Sequence, residues 1–130
     1  MRRLPLPVLV AMASLLSLVS PLDAGVLTAE VDGIRVELTS RPSRPGTDGQ
    51  TDYVVRLVDG AGQPVTAAQV TLRGVMADGM SVIAPLRADR EPGMYRGRVV
   101  FTMEGRWELT LRITRAGKRF ELPLTEHVGR

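Results

Sequence analysis

Apolar and polar residues alternate along most of the chain. In "VLTAEVDGIRVEL", Leu27, Ala29 and Val31 share one phase, and Ile34, Val36 and Leu38 share one phase in the run that follows. A period of two marks a strand buried on one face. Between the runs stands Asp32-Gly33, a pair suited to a two-residue type I′ turn. That turn sets Val31 opposite Ile34, Ala29 opposite Val36 and Leu27 opposite Leu38. Directly opposed residues of an antiparallel pair point the same way, so the turn and the apolar pattern predict one register.

The alternation continues after a Pro/Gly-rich polar stretch, residues 40 to 50, which reads as a loop. "TDYVVRLVD" places Tyr53, Val55 and Leu57 together. "AQVTLRGVM" places Val70, Leu72 and Met76 together, with Gly74 as the gap. "SVIAPLRAD" contains Pro85, which predicts an edge strand or a bulge. In "YRGRVVFTMEGRWELTLRI" the phases are Tyr95, Val99, Phe101, Met103 and then Trp107, Leu109, Leu111, Ile113. A hairpin with an odd loop, Glu104 to Arg106, would pair Met103 with Trp107, Phe101 with Leu109 and Val99 with Leu111. The Ala116-Gly117 turn would pair Ile113 with Phe120 and Leu111 with Leu122.

About seven short antiparallel strands with regular turns and no capped amphipathic helix predict an all-β domain. With no cysteine there is no disulfide, so the expectation is an immunoglobulin-like β-sandwich without the antibody-type cystine. A small closed barrel is the alternative.

The first residues break the pattern. "MRRLPLPVLVAMASLLSLVSPLDAG" has a basic start, an apolar run from Leu4 to Val19 and a small residue at Ala24. This is the layout of a secretory signal peptide over residues 1–24, leaving a sandwich domain over 25–130 in the periplasm or outside the cell. The alternative is an uncleaved anchor, residues 4–22, in the inner membrane. That run is short for a spanning helix, and Pro5 and Pro7 interrupt its start.

Charge and composition then narrow the function. Lys and Arg number 17 and Asp and Glu 14, for a formal charge of +3. The arginines are scattered and aromatics are few, so no basic stripe with stacking rings exists to bind nucleic acid. Without cysteine there is no thiol nucleophile and no zinc-thiolate site. The one histidine, His127, lies near the end, where a solvated tail is the simpler account. Asp48, Asp52 and Asp59 match no calcium loop and suit turns. Glu104 and Glu108 fall on a turn and a solvent face. No set of residues calls for an enzyme.

Methionine offers the remaining chemistry. If successive strands run up and down, Met76, Met80 and Met103 meet at one end beside Trp107, while Met94 lies roughly 30 Å away. Thioethers select Cu(I) over harder ions, and Trp107 would shield the ion or meet it with its ring face. Core packing is the competing explanation, because methionine fills gaps and its sulfur packs well on rings.

Two segments together resemble the YtkA-like and FixH-like domains. "VRLVDGAGQPVTAAQVTLRGVM" is similar to their strand, Gly-x-Pro-Val turn and Ala-x-Val strand. "GMYRGRVVFTMEGRWELTLRI" is similar to their closing Gly-x-Tyr to Gly-x-Trp pattern. The resemblance covers about residues 50 to 114. It implies an exported or membrane-anchored sandwich, with some relatives associated with copper or with respiratory oxidase assembly. The Met-rich segment of YtkA-like domains falls here on Met76 to Met80, without the histidine that usually accompanies it. Two roles follow as expectations: a non-enzymatic accessory domain handling Cu(I) at Met76, Met80 and Met103, or a metal-free module for an envelope protein partner, through a sheet edge near Pro85.

Overall fold

The computed structural model describes residues 26–130, so the segment assigned as signal peptide or anchor lies outside the described residues. Eight strands follow: β1 (Val26–Val31), β2 (Ile34–Arg41), β3 (Thr51–Val58), β4 (Gln69–Val75), β5 (Ser81–Ala88), β6 (Met94–Val99), β7 (Gly105–Arg115) and β8 (Lys118–Val128). No helix occurs among the described residues. All pairings between the eight strands are antiparallel, in the order β1-β2-β3-β6-β5-β4-β7-β8. The β5–β6 join consists of only Arg87↔Arg96 and Ala88↔Tyr95. There the hydrogen-bonded ribbon folds over into two layers, β1-β2-β3-β6 and β5-β4-β7-β8.

Each layer turns its apolar phase inward. Val36 and Leu38 of β2, Tyr53, Val55 and Leu57 of β3, Leu72 of β4 and Trp107, Leu109 and Leu111 of β7 are buried. Burying one such side chain is worth roughly 1.5–3 kcal/mol, and a core of this kind stands in for disulfides in a domain of about 100 residues. At the inward position Gly74 a methyl group would collide with Leu109 and come within 3.2 Å of Val82 Cγ2 and 3.5 Å of the Trp107 ring. The gap in the alternation of β4 is therefore the space its neighbours' large side chains occupy.

Both tight turns take the expected register. Val31 pairs with Ile34 and Leu27 with Leu38, with Asp32 at φ 53° and Gly33 at φ 80°, as a type I′ turn requires. Ile113 pairs with Phe120 and Leu111 with Leu122.

The expected hairpin between β6 and β7 does not form. β6 pairs with β3 and, at its start, with β5. β7 pairs with β4 and β8, so Trp107 lies opposite Glu126, Leu109 opposite Gly74 and Leu111 opposite Leu72. Residues 100–104 carry the chain from one layer to the other. Alternation shows that two strands bury one face each; it does not show whether they are neighbours in one sheet or lie in facing sheets. Phe101 and Trp107 still meet, edge to face, with ring centroids 5.3 Å apart.

Pairing sets the strand directions. β2, β4, β6 and β8 run toward one end, the upper end, and β1, β3, β5 and β7 run away from it. The upper end gathers the start of β1, loop 42–50, turn 76–80, crossover 100–104 and the C-terminus. Loop 42–50 is tied down there. Thr47 N–H donates to the Gly129 carbonyl at 3.1 Å, and Gly129 N–H donates to the Pro45 carbonyl at 2.9 Å.

Candidate functional site

Met76, Met80 and Met103 all lie at the upper end, and Met94 begins β6 at the lower end. The turn that carries the first two is well bonded. Met76 N–H donates to the Met80 carbonyl at 2.8 Å, and Gly79 N–H donates to the Met76 carbonyl at 3.0 Å. Asp78 Oδ1 accepts the Met80 N–H at 3.0 Å, which gives Asp78 a turn-forming role. Gly79 supplies the positive φ of 99° that the turn needs.

The three side chains differ in burial. Met76 is half-buried against the core, and its methyl group leaves only 2.8 Å to a Cβ built on Gly105. Met80 and Met103 are exposed, at 38% and 41%. Met103 is therefore not the core partner of Trp107 that its phase predicts: β6 has ended at Val99, and the crossover turns the Met103 side chain out. Its backbone touches Trp107 instead, because Trp107 Nε1–H donates to the Met103 carbonyl at 3.0 Å. Trp107 has no exposed surface. It forms the floor under this end and offers no open ring face to a surface cation.

The other candidates have structural employment. Asp52 pairs with Arg98 at 3.3 Å. Asp59 Oδ1 accepts the N–H groups of Ala61 and Gln63, each at 2.9 Å. Glu108 pairs with Arg106 at 2.8 Å and accepts the Thr125 hydroxyl at 3.0 Å. His127 is not a loose tail: it is an exposed residue of β8, opposite Arg106. Among the described residues no group of three or more His, Cys, Asp and Glu is placed to hold a metal. The donors at the upper end suited to a soft or borderline ion are the thioethers and, at the end of β8, the imidazole of His127.

One pair escaped the sequence reading. Tyr53 O–H donates to Glu126 Oε2 at 3.0 Å, from β3 in one layer to β8 in the other. Burial pushes the Glu126 carboxyl above the usual carboxylate range, opposed in part by the Tyr53 hydrogen bond and by His127. Burial, then the Glu126 charge, pushes the Tyr53 hydroxyl well above its ordinary value. In "FELPLTEHV" Glu126 sits in phase with Phe120, Leu122, Leu124 and Val128, and that phase was the signal. Glu126 also lines an open cleft of about 390 Å³ with Ser43, Arg44, Pro45, Thr125 and His127. The set holds one acid hydrogen-bonded to a phenol, with no activated nucleophile beside it.

The two facing layers define the class: an immunoglobulin-like β-sandwich, built without a cystine. The chain belongs to the YtkA-like family, whose model matches residues 28–112. A DUF4426 family protein from Pseudomonas aeruginosa PAO1 has a similar structure, with TM-score 0.63 and 12% identity over 81% of this chain and 95% of that one. The Lin-41 filamin domain is also similar, with TM-score 0.53 and 21% identity over 85% of this chain and 97% of that one. At these identities the likeness concerns the fold. No curated protein matches the chain in sequence.

Proposed function

We propose that the chain is an exported, non-enzymatic accessory domain that handles Cu(I) at its upper end, in copper traffic or respiratory oxidase maturation. One observation carries this reading: the topology collects Met76, Met80 and Met103 at one end and leaves Met80 and Met103 exposed. Core packing accounts for a buried methionine and leaves an exposed one unexplained. Thioether sulfur favours Cu(I) and offers little to Zn(II) or Ca(II). The non-enzymatic part is supported by the occupations of the acids, which serve turns, ion pairs and one buried hydrogen bond.

The test is a competition titration against a Cu(I) chelator, on the parent and on Met80→Leu. Leucine keeps the volume, so the fold should lose less than about 1.5 kcal/mol. The parent should withdraw copper and the variant much less. Equal withdrawal by both, or none by either, overturns the copper reading.

A second reading has its own observation. Ser81 to Leu86 of β5 pair with β4 on one side, and β6 joins β5 only at Arg87 and Ala88. The upper half of β5, Ser81 to Ala84, is therefore an open sheet edge suited to a strand from an envelope protein partner, whereas Pro85 lies against Gly97 of β6. Such a strand would slow hydrogen exchange at Val82 to Ala84. Unchanged exchange in the presence of envelope proteins would remove this reading.

A further inference from the structure

The sandwich ends in two open strands. β1 is the last strand of one layer and β8 the last of the other, on the side away from the β5–β6 join. Their lower turns meet there, with Lys118 Nζ 4.0 Å from Asp32 Oδ2. Each strand keeps one row of backbone N–H and C=O groups with no strand beyond it. Such a row is a template for another strand, and soluble domains usually block it.

Turn geometry says which residues carry each row. A two-residue turn bonds its flanking residues to each other, and bonded and non-bonded pairs then alternate along the ladder. Val31 and Ile34 flank the Asp32-Gly33 turn, so Val31, Ala29 and Leu27 bond to β2. Val26, Thr28 and Glu30 point their N–H and C=O outward, and no turn or loop backbone takes them up among the described residues. Counted the same way from the Ala116-Gly117 turn, the open row of β8 is Arg119, Glu121, Pro123, Thr125 and His127.

The two edges are treated differently. Pro123 stands in the middle of the β8 row, with no N–H to offer an added strand. Beyond the end of β8, loop 42–50 lies on the chain through the Gly46↔Gly129 bridge. β1 has no proline, lysine or arginine, and its one charge is Glu30. One edge is guarded and the other is not. The inward phase on this side is also incompletely covered, because Leu27 of β1 and Phe120, Leu122 and Leu124 of β8 are only partly buried against the core.

We propose that β1 pairs, antiparallel, with β1 of a second copy of this chain about a two-fold axis through Thr28. The open row is its own complement in that register. Thr28 meets Thr28 of the copy, and Val26 meets Glu30 in both directions. Every open group of the row is then bonded, and each glutamate faces a valine in place of another glutamate. An axis through Leu27 would set Glu30 opposite a residue outside the copy's strand. An axis through Ala29 would set Val26 against the copy's turn at Asp32. Inside, Leu27 opposes Ala29 of the copy. The same axis turns the half-buried row of β8 toward its own copy, and both rows gain by leaving water. An unrelated strand would match the backbone of β1; the match of its side chains to themselves selects the second copy. The pairing uses neither Met80 nor Met103 and does not depend on the copper reading.

The chain has no cysteine, so introduced cysteines read the register, in the protein as recovered from its source cell. Opposed residues of a bonded pair lie about 5.5 Å apart at Cα, within disulfide reach. Under a mild oxidant Thr28→Cys should form a covalent dimer. Val26 and Glu30 would each lie roughly 14 Å from their own copies, so Val26→Cys or Glu30→Cys alone should cross-link at least about tenfold less. A mixture of those two variants should cross-link between them. For the chain without cysteine, sedimentation velocity at rising concentration should show the mass climbing toward twice that of one chain. Thr28 is exposed, so Thr28→Lys spares the core and sets two like charges face to face on the axis. It should weaken the dimer by about tenfold or more. Ile83→Lys, on the β5 edge, should leave it unchanged. A chain that stays monomeric into the millimolar range overturns the proposal. So does a dimer that Thr28→Lys leaves intact, or one that Ile83→Lys dissolves, which puts the contact on another edge. Cross-linking of Glu30→Cys alone as readily as Thr28→Cys overturns the register. A monomer whose Val26, Thr28 and Glu30 amides already exchange slowly would show another segment of the same chain in that place, and overturns the proposal as well.

Discussion

Tyr53 and Glu126 are joined across the sandwich by a hydrogen bond of 3.0 Å, the phenol donating and the carboxylate accepting. Tyr53 has no exposed surface, and Glu126 faces inward beside Trp107, its partner in the β7–β8 pairing. The pair is a polar tie between layers otherwise held by apolar contact. Tyr53→Phe keeps the ring and leaves the carboxylate without its donor. A cost of about 1–3 kcal/mol is expected in a urea titration. A loss near zero would show that water replaces the phenol freely.

The pair also sets a pH dependence. The folded state holds the Glu126 proton more tightly than the unfolded chain does. Below the ordinary carboxylate pKa both states are protonated, and the group leaves stability unchanged. As pH rises from there to the folded pKa, the unfolded chain ionises first, so this contribution falls and then stays low. Glu126→Gln should therefore unfold at higher urea than the parent at pH 7 and at nearly the same urea near pH 4. The Tyr53 hydroxyl acts in the same direction at alkaline pH: above about pH 10 the unfolded chain ionises a group that the fold keeps neutral, and stability drops. A parent and variant with parallel pH profiles would place the Glu126 carboxylate in solvent.

Export makes a separate prediction. The basic start, the apolar run and Ala24 predict a chain beginning at or near Gly25 in the source cell. Intact-mass measurement of the recovered protein decides it. A full-length, membrane-bound species would replace the cleaved signal by an anchor and leave the sandwich unaffected.

Local features were legible and layer membership was not. The Asp32-Gly33 and Ala116-Gly117 turns predicted their registers because a two-residue turn and matching apolar phases overdetermine a hairpin. The pairing of β6 with β7 failed because an arch between layers and a hairpin within one layer bury the same phase. The same failure misplaced Met103. It was expected beneath the sheet and stands outside it, since inward phase ends where the strand ends. The gathering of the methionines at one end survived, because it depends on strand direction, and up-and-down order holds across an arch as well as a hairpin. Glu126 is legible only by following the phase of Phe120, Leu122 and Leu124 to the end of β8, and its partner Tyr53 lies 73 residues away in the other layer, which no local pattern links to it.

Trp107 tests how the two layers share the core. It is fully buried, stacked edge to face on Phe101 at 5.3 Å, with its indole N–H on the Met103 carbonyl. Trp107→Ala should cost about 3–5 kcal/mol, a large part of the stability of a small domain. Denaturant unfolding measures it, and a loss below about 1 kcal/mol would contradict the burial.

Gly74 gives the reciprocal test, addition in place of removal. It lies in an inward phase between Val70 and Leu72 on one side and Met76 on the other, directly opposite Leu109. A β-carbon there would run into Leu109 Cδ2 and crowd Val82 and the Trp107 ring. Leu109 and Trp107 are themselves enclosed, so neither can swing clear without disturbing the core. In a strand alanine is otherwise the better residue, by roughly 0.5–1 kcal/mol over glycine, because glycine loses more freedom on folding. The two effects oppose each other, and the geometry decides between them. Overpacking of a closed core costs about 1–3 kcal/mol, so Gly74→Ala should be net destabilising, and Gly74→Val, with two more methyl groups, more so. Combining Gly74→Ala with Leu109→Val removes a methylene where the clash falls. The double variant should be more stable than the sum of its parts, which a double-mutant cycle reads directly. Additive losses would show that Gly74 and Leu109 do not compete for one space.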